Sequence, residues 1–167
     1  MGVIFSENSL ALWQFSIVFI PEQWAEDNKF KTDSLYGDDG FETSHVWSKN
    51  AVKEDFERYF NSILPKAEPW DDEIDIWGND KTNDLTIFRE GNQVECIQFR
   101  LDLRDNVFGL IKSIINSAIS LSCVLFIPSQ KVIIKPNIFE LKKYITQSNA
   151  AKFVENPEAF LSGLALE

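Results

Sequence analysis

The stretch EIDIWGNDKTNDLTIFREGNQVECIQFRLDLR, residues 73–104, contains three apolar runs separated by residues that favour turns. It predicts strands over 73–77, 84–90 and 94–104, with the glycine-asparagine dipeptide at 91–92 as a tight turn. In the third run apolar and polar side chains alternate: Ile97, Phe99, Leu101 and Leu103 against Gln98, Arg100, Asp102 and Arg104. The pattern is typical of an antiparallel meander with one face in water.

The residues before this meander predict a strand, a polar segment and a helix. Residues 10–20 alternate between apolar and polar side chains and stop at Pro21, which indicates a long strand. Residues 22–47 are polar and read as irregular, with an exposed turn in the sequence YGDDG at 36–40. Helical spacing of apolar residues predicts an amphipathic helix from Asn50 to Leu64.

The residues after the meander predict a helix, a hairpin and a helical C-terminus. Residues 106–121 have helical spacing, and Asp105 is positioned to cap that helix. The run 107–127 is long enough to cross a membrane, but its first part has a polar helical face and its second part, CVLFI, reads as a buried strand. We therefore expect no membrane span, a hairpin from 123 to 134, and C-terminal helices with Ser148 as a cap.

The order of these elements predicts the fold class. The succession β, α, βββ, α, ββ, αα contains too many adjacent strands for a doubly wound parallel fold. We expect an α+β fold, a mainly antiparallel sheet with helices packed on one side. The length of 167 residues and the 44% hydrophobic content suit one domain over residues 1–167.

The charge is negative and unevenly distributed along the chain. The formal net charge is −10, with −12 in residues 1–95 and +2 in residues 96–167. Such a field repels polyphosphates and argues against nucleic acid as a partner. It favours a basic protein partner, and the alternative is that the acidity serves solubility alone.

The two cysteines and the N-terminus bear on the compartment. Cys96 and Cys123 each lie inside an apolar run, which predicts buried free thiols and a reducing environment. The first residues have no positively charged region before their apolar stretch, so a signal peptide is not expected. These features favour the cytoplasm.

No set of residues predicts catalysis. His45 is the only histidine, and its neighbours supply no nucleophile arrangement. The glycines form no phosphate-binding loop, and histidine and cysteine are too few for a structural zinc site. We predict no catalytic residues, no cofactor and no metal, and we expect His45 to be structural or to face solvent.

The acidic run WDDEIDIW, residues 70–77, is the strongest candidate for a binding surface. In a strand, Glu73 and Asp75 would share one face while Ile74 and Ile76 enter the core. Aromatic side chains beside carboxylates are typical of binding hot spots. The predicted partner-binding residues are Trp70, Asp71, Asp72, Glu73, Asp75 and Trp77, together with Asp38 and Asp39 from the turn.

Three alternatives for this run and the chain stay open. The first is that the carboxylates form only a solvated strand edge that discourages pairing. A divalent-metal-dependent enzyme would use the carboxylates of residues 71, 72, 73 and 75 to hold Mg²⁺. A homo-oligomeric subunit would place exposed aromatics such as Trp24 or Trp47 at its interface.

The C-terminal stretch CVLFIPSQKVIIKPN followed by FELKKYITQSNAAKFVENPEAFL resembles a pattern in small uncharacterised bacterial proteins. They share a hairpin before a proline, a helix, a small-residue segment and an ending similar to NPEAF. Several of them look like toxin-immunity or accessory factors, and the pattern carries no catalytic motif. The resemblance implies a bacterial cytoplasmic protein. The leading hypothesis is an immunity-type inhibitor that presents its acidic N-terminal half to a basic protein.

Overall fold

A computed structural model of the chain describes residues 10–52 and 55–165. In these residues nine strands are present: β1 Gln14–Pro21, β2 Tyr36–Gly37, β3 Gly40–Phe41, β4 Lys66–Ala67, β5 Ile74–Gly78, β6 Asp84–Glu90, β7 Gln93–Asp102, β8 Cys123–Ile127 and β9 Val132–Ile134. The helices are α1 Glu22–Asp27, α2 Ser44–Trp47, α3 Phe56–Asn61, α4 Phe108–Ser120, α5 Ile138–Thr146, α6 Asn149–Glu155 and α7 Pro157–Ala165.

Seven strands form one antiparallel sheet in the order β4-β5-β6-β7-β1-β8-β9, and β2 and β3 form a separate hairpin. The predicted α+β class is therefore confirmed. The meander β5-β6-β7 is confirmed with small boundary shifts, and Gly91 at its tight turn has φ +60°. The two-residue strand β4, which pairs with β5 at the sheet edge, was not predicted.

The central strand β1 is buried along its whole length, which the alternating pattern did not predict. Gln14 and Ser16, expected on a polar face, are buried because their polar groups have partners. The Gln14 amide donates to the carbonyl oxygens of Asp80 and Thr82, and the Ser16 hydroxyl accepts from Gln98. Hydrogen bonding thus allows this strand to lie between β7 and β8.

An aromatic cluster forms the core on one face of the sheet. The strand registers place Trp77, Leu85 and Phe99 on the same face of β5, β6 and β7. Phe60 of α3 packs against Trp77 and Phe99, with ring centroids 5.6 and 5.9 Å apart. The helix α3 is shorter than predicted, starting at Phe56, and residues 53 and 54 of the predicted helix lie outside the described residues.

The prediction that residues 22–47 are irregular was wrong. This segment contains α1, a 3₁₀ turn at Asp33–Leu35, the β2-β3 hairpin and α2. Its apolar residues are spaced too irregularly to show a period, but several of them are buried: Ala25, Leu35, Phe41, Val46 and Trp47. Phe41 packs on Phe126 of β8, and the Thr43 hydroxyl donates to the Glu95 carbonyl oxygen. Tertiary contacts therefore order a segment without a local signal, and they place Trp47 in the core rather than on an exposed interface.

The run 107–127 is the predicted helix followed by the predicted strand, now seen as α4 and β8. Asp105 does not cap α4: the N-cap is Val107, and the Asn106 side chain accepts from the Phe108 amide instead. Within the described residues, no helix combines the length and apolar character that crossing a bilayer requires. At the C-terminus Ser148 caps α6 as predicted, accepting from the Ala151 amide.

Candidate functional site

The first part of the acidic run is an exposed turn before β5. Trp70 is 74% exposed, and Asp71, Asp72 and Glu73 are exposed as well. The Asp71 carboxylate accepts from the Glu73 amide at 2.8 Å, which fixes the turn. Arg89 of β6 donates to the Asp72 carbonyl oxygen at 3.1 Å and ties the turn to the sheet. These four predicted residues therefore lie together on the surface.

Asp75 and Trp77 do not belong to this surface, and their prediction as partner-binding residues needs correction. Trp77 is fully buried, and its indole donates to the Asn61 side chain at 2.8 Å. Asp75 is half-buried and its carboxylate is held by Arg89 at 2.8 Å and Lys66 at 3.8 Å. The reason is that residues 75 and 77 face the core cluster, whereas Ile76 points to the opposite face.

Asp38 and Asp39 lie on a separate surface. They are exposed in the turn between β2 and β3, a hairpin that packs on Phe126 of β8 through Tyr36 and Phe41. Strand β8 is four positions from β5 in the sheet, a distance of about 19 Å at the usual strand spacing. The predicted acidic residues therefore belong to two different elements, the turn before β5 and the β2-β3 hairpin.

A groove of about 350 Å³ opens beside Trp70, on the sheet face opposite the aromatic core. Its lining includes Trp70, Ile76 and Thr86, and four charged residues absent from the prediction: Glu68, Asp80, Asp84 and Arg100. We refer to the groove with Trp70 and the turn residues 71–73 as the acidic groove. Glu68 and Asp80 are exposed, and neither forms an ion pair within the described part of the chain.

Asp84 and Arg100 form the structural base of the acidic groove. Arg100 donates through Nε to Asp84 Oδ1 at 2.9 Å, and through Nη2 to Oδ2. Burial raises the pKa of Asp84, and the hydrogen bonds from Arg100 act in the opposite direction. The hydrogen bond to Asp84 raises the pKa of Arg100, so the guanidinium stays charged. Arg100 balances the charge of Asp84 and also interacts with Asp80, so the two further carboxylates, Glu68 and Asp80, leave the groove with a net negative charge.

His45 lies in a different cluster, at the start of α2. The Glu42 carboxylate accepts from the amide and hydroxyl of Ser44, and its second oxygen lies 3.2 Å from His45 Nδ1. Burial acts to raise the pKa of Glu42, but the hydrogen bonds from Ser44 and His45 lower it below its ordinary value. The carboxylate sits between hydroxyl and imidazole, so the ring is not placed to activate the serine. The cluster binds the first backbone amide of α2.

The remaining reactive groups form no centre in the described residues. Cys96 and Cys123 are both buried, as predicted, and burial raises the pKa of Cys96 to about 12. Between residues 10 and 165, leaving aside 53 and 54, no three His, Cys, Asp or Glu side chains lie close enough to hold a metal ion. The alternative of a Mg²⁺ site at residues 71–75 therefore has no structural support.

Comparison with models of known protein families, with curated proteins and with solved structures finds no match for the chain.

Proposed function

We propose that this protein binds another protein by holding a basic side chain of the partner in the acidic groove. The observation that carries the proposal is Trp70, which is 74% exposed beside the carboxylates of Glu68 and Asp80. A lysine or arginine placed over an indole face gains a cation–π attraction. The carboxylates of Glu68 and Asp80, which form no ion pair with the residues that the structure describes, supply the opposite charge.

The size and chemistry of the acidic groove support a side chain as its occupant. About 350 Å³ lies at the lower end of the range for binding pockets. Ile76 and Thr86 give the groove apolar atoms for the aliphatic part of a lysine or arginine. Asp71, Asp72 and Glu73 are exposed in the turn that follows Trp70 and would steer a positively charged partner toward the groove.

The specific form that we propose is an immunity-type inhibitor, which covers a basic surface of another protein. The arrangement that supports it is an exposed aromatic anchor surrounded by acidic residues on one edge of the sheet. In protein interfaces such an anchor supplies buried area and the surrounding charges supply orientation. Asp38 and Asp39 line a different pocket, formed by the β2-β3 hairpin.

Selection from a displayed library of random peptides tests the proposal while the partner is unidentified. We expect the protein to enrich peptides that contain lysine or arginine next to an apolar residue. Trp70→Ala should weaken the binding of the selected peptides at least about tenfold, as expected for a hot-spot residue. Leu12→Ala, which truncates another exposed apolar side chain, is the matched control and should leave binding unchanged.

A charge-matched pair of variants separates a local contact from the overall field. Glu68→Gln with Asp80→Asn removes two charges from the acidic groove, and Glu155→Gln with Glu158→Gln removes two from the C-terminal helices. Only the first pair of substitutions should weaken peptide binding. Equal weakening by both pairs, or enrichment of peptides without basic residues, would contradict the proposal.

A further inference from the structure

A second exposed aromatic surface lies on α4 and α5. Phe139 is 80% exposed and Phe108 is 46% exposed, although both side chains are large and apolar. Lys112 and Lys142 are exposed on the same two helices. We call these four residues the basic aromatic face.

The four residues form one continuous surface. The Nζ atom of Lys142 lies 5.0 Å from the ring centroid of Phe108, and that of Lys112 lies 5.7 Å from the same centroid. Phe139 precedes Lys142 by three residues on α5, which makes the two side chains neighbours on the helix surface. The lysines therefore connect the two phenylalanines across both helices.

The basic aromatic face has the composition of a contact surface. Exposed apolar area is costly in water, and two lysines beside it favour an acidic partner. Within residues 10–52 and 55–165, neither Lys112 nor Lys142 forms an ion pair. Residues 96–167, which contain this face, have a net charge of +2, against −12 for residues 1–95, which contain every carboxylate of the acidic groove.

The two surfaces lie toward opposite ends of the sheet. The acidic groove is lined by strands β4 to β7, with Trp70 near the β4 edge, whereas α4 contacts β8, next to the other edge, and α5 contacts α4. A surface on one end that complements a surface on the other end generates head-to-tail contacts between identical chains.

We infer that the occupant of the basic aromatic face is the acidic groove of a second copy of this chain. Lys142 of one copy would enter the acidic groove of the next, with Phe139 against Trp70. The inference rests on the proposed function, because it uses the same groove: a lysine of a second copy would occupy it when the basic protein partner is absent. The chemical complementarity is specific: an aromatic side chain with lysines meets an aromatic side chain with carboxylates.

Reversing the charge of single residues tests this self-association more specifically than changing the salt concentration does. Salt screens the local attraction, but it also screens the repulsion between two chains that each carry −10. The test uses three variants in sedimentation velocity: Asp80→Lys, Lys142→Glu, and the two substitutions combined in one chain. Lys152→Glu on α6 is the control, since Lys152 is an exposed helical lysine outside the face.

We expect the natural sequence to self-associate over the micromolar to millimolar range, and each single exchange to weaken that association at least tenfold. Lys152→Glu should not weaken it. The combined variant should regain association, because glutamate on one copy then meets lysine on the next. A mixture of Phe139→Ala/Lys142→Glu with Trp70→Ala/Asp80→Lys should form 1:1 dimers, since each variant keeps one natural surface.

Several results would overturn the inference. The inference fails if the natural chain stays monomeric throughout the concentration range. It also fails if the single charge reversals have no effect on association, or if the mixture forms no dimers. A monomer that binds phosphatidylserine vesicles through Phe139 would identify a lipid surface as the occupant instead. If Phe139→Ala/Lys142→Glu still binds the selected basic peptides while no self-association is found, the proposed function stands and only the second copy is excluded.

Discussion

Arg100 of β7 holds the carboxylate of Asp84 of β6 through two hydrogen bonds at the base of the acidic groove. Asp84 is 1% exposed, and Arg100 is largely covered. Asp84→Asn would remove the carboxylate that binds the guanidinium and leave it only the weaker interaction with Asp80. We expect the free energy of unfolding to fall by about 2–4 kcal/mol, because a buried charge that has lost its partner destabilises the folded state.

Urea denaturation of Asp84→Asn measures this loss directly. The control is Asp80→Asn, an exposed carboxylate in the same groove without an ion pair, which should change stability by less than about 0.5 kcal/mol. Equal stability of the two variants would show that the pair does not support the sheet.

The two tryptophans of the acidic run should behave in opposite ways. Trp77→Ala removes a fully buried ring that packs on Phe60, and we expect it to lower the free energy of unfolding by about 3–5 kcal/mol. Trp70→Ala removes a ring that is mostly in water, and we expect a change within about 0.5 kcal/mol. Denaturant unfolding of both variants checks the assignment of one residue to the core and the other to the surface. Comparable losses would refute it.

Gly78 should tolerate substitution less well than Gly91. Both have positive φ, +84° and +60°, so alanine is strained at either position. A Cβ at Gly78 would also lie 2.3 Å from the Asn83 carbonyl oxygen, whereas nothing lies within 4 Å of one at Gly91. We expect Gly91→Ala to lower the free energy of unfolding by about 1 kcal/mol and Gly78→Ala to lower it clearly more. Thermal unfolding of the pair is the measurement, and a smaller effect at Gly78 would contradict the geometry.

The stability contributed by Asp102 should depend on pH. Hydrogen bonds from Arg104 lower the pKa of Asp102 below its ordinary value of 3.8. A carboxyl whose pKa is lower in the folded state stabilises the protein above the unfolded pKa, and this contribution disappears as the pH falls through the folded pKa. Asp102→Asn should therefore cost about 1 kcal/mol at pH 7, because Arg104 is half exposed and its pairing is screened.

Urea titrations of the natural chain and Asp102→Asn from neutral pH downward test this sign. The difference between the two free energies of unfolding should be constant above about pH 5 and narrow below pH 3.8. A difference that widens on acidification would show that Asp102 is not stabilised as a carboxylate.

The Cys96 thiol should be inert in the folded protein. Burial raises its pKa to about 12, and the thiolate is the reactive form. We expect iodoacetamide to modify Cys96 slowly in native buffer and rapidly in urea, with mass mapping of the peptide as the readout. Rapid modification without denaturant would indicate that the core around β7 opens easily.

Part of the acidic groove was predictable and part depended on one irregularity in the sheet. The turn at Gly91-Asn92 and the strands beside it follow from local pattern. A regular hairpin that closes at Glu90 and Gln93 would pair Asp84 with Phe99. A register shift between Phe88 and Arg89 instead places Asp84 opposite Arg100. No turn residue or period in the sequence marks this shift.

The sequence by itself determined the meander, the helix-then-strand nature of residues 107–127, and the burial of both cysteines, because these depend on local periodicity and apolar runs. Only the tertiary structure decided which of the two alternating sets of side chains on β5 faces the core. Alternation divides a strand into two sets but does not say which one is covered. Phe60 of α3 covers the Trp77 side, and the other side, with Ile76, is left to line the acidic groove.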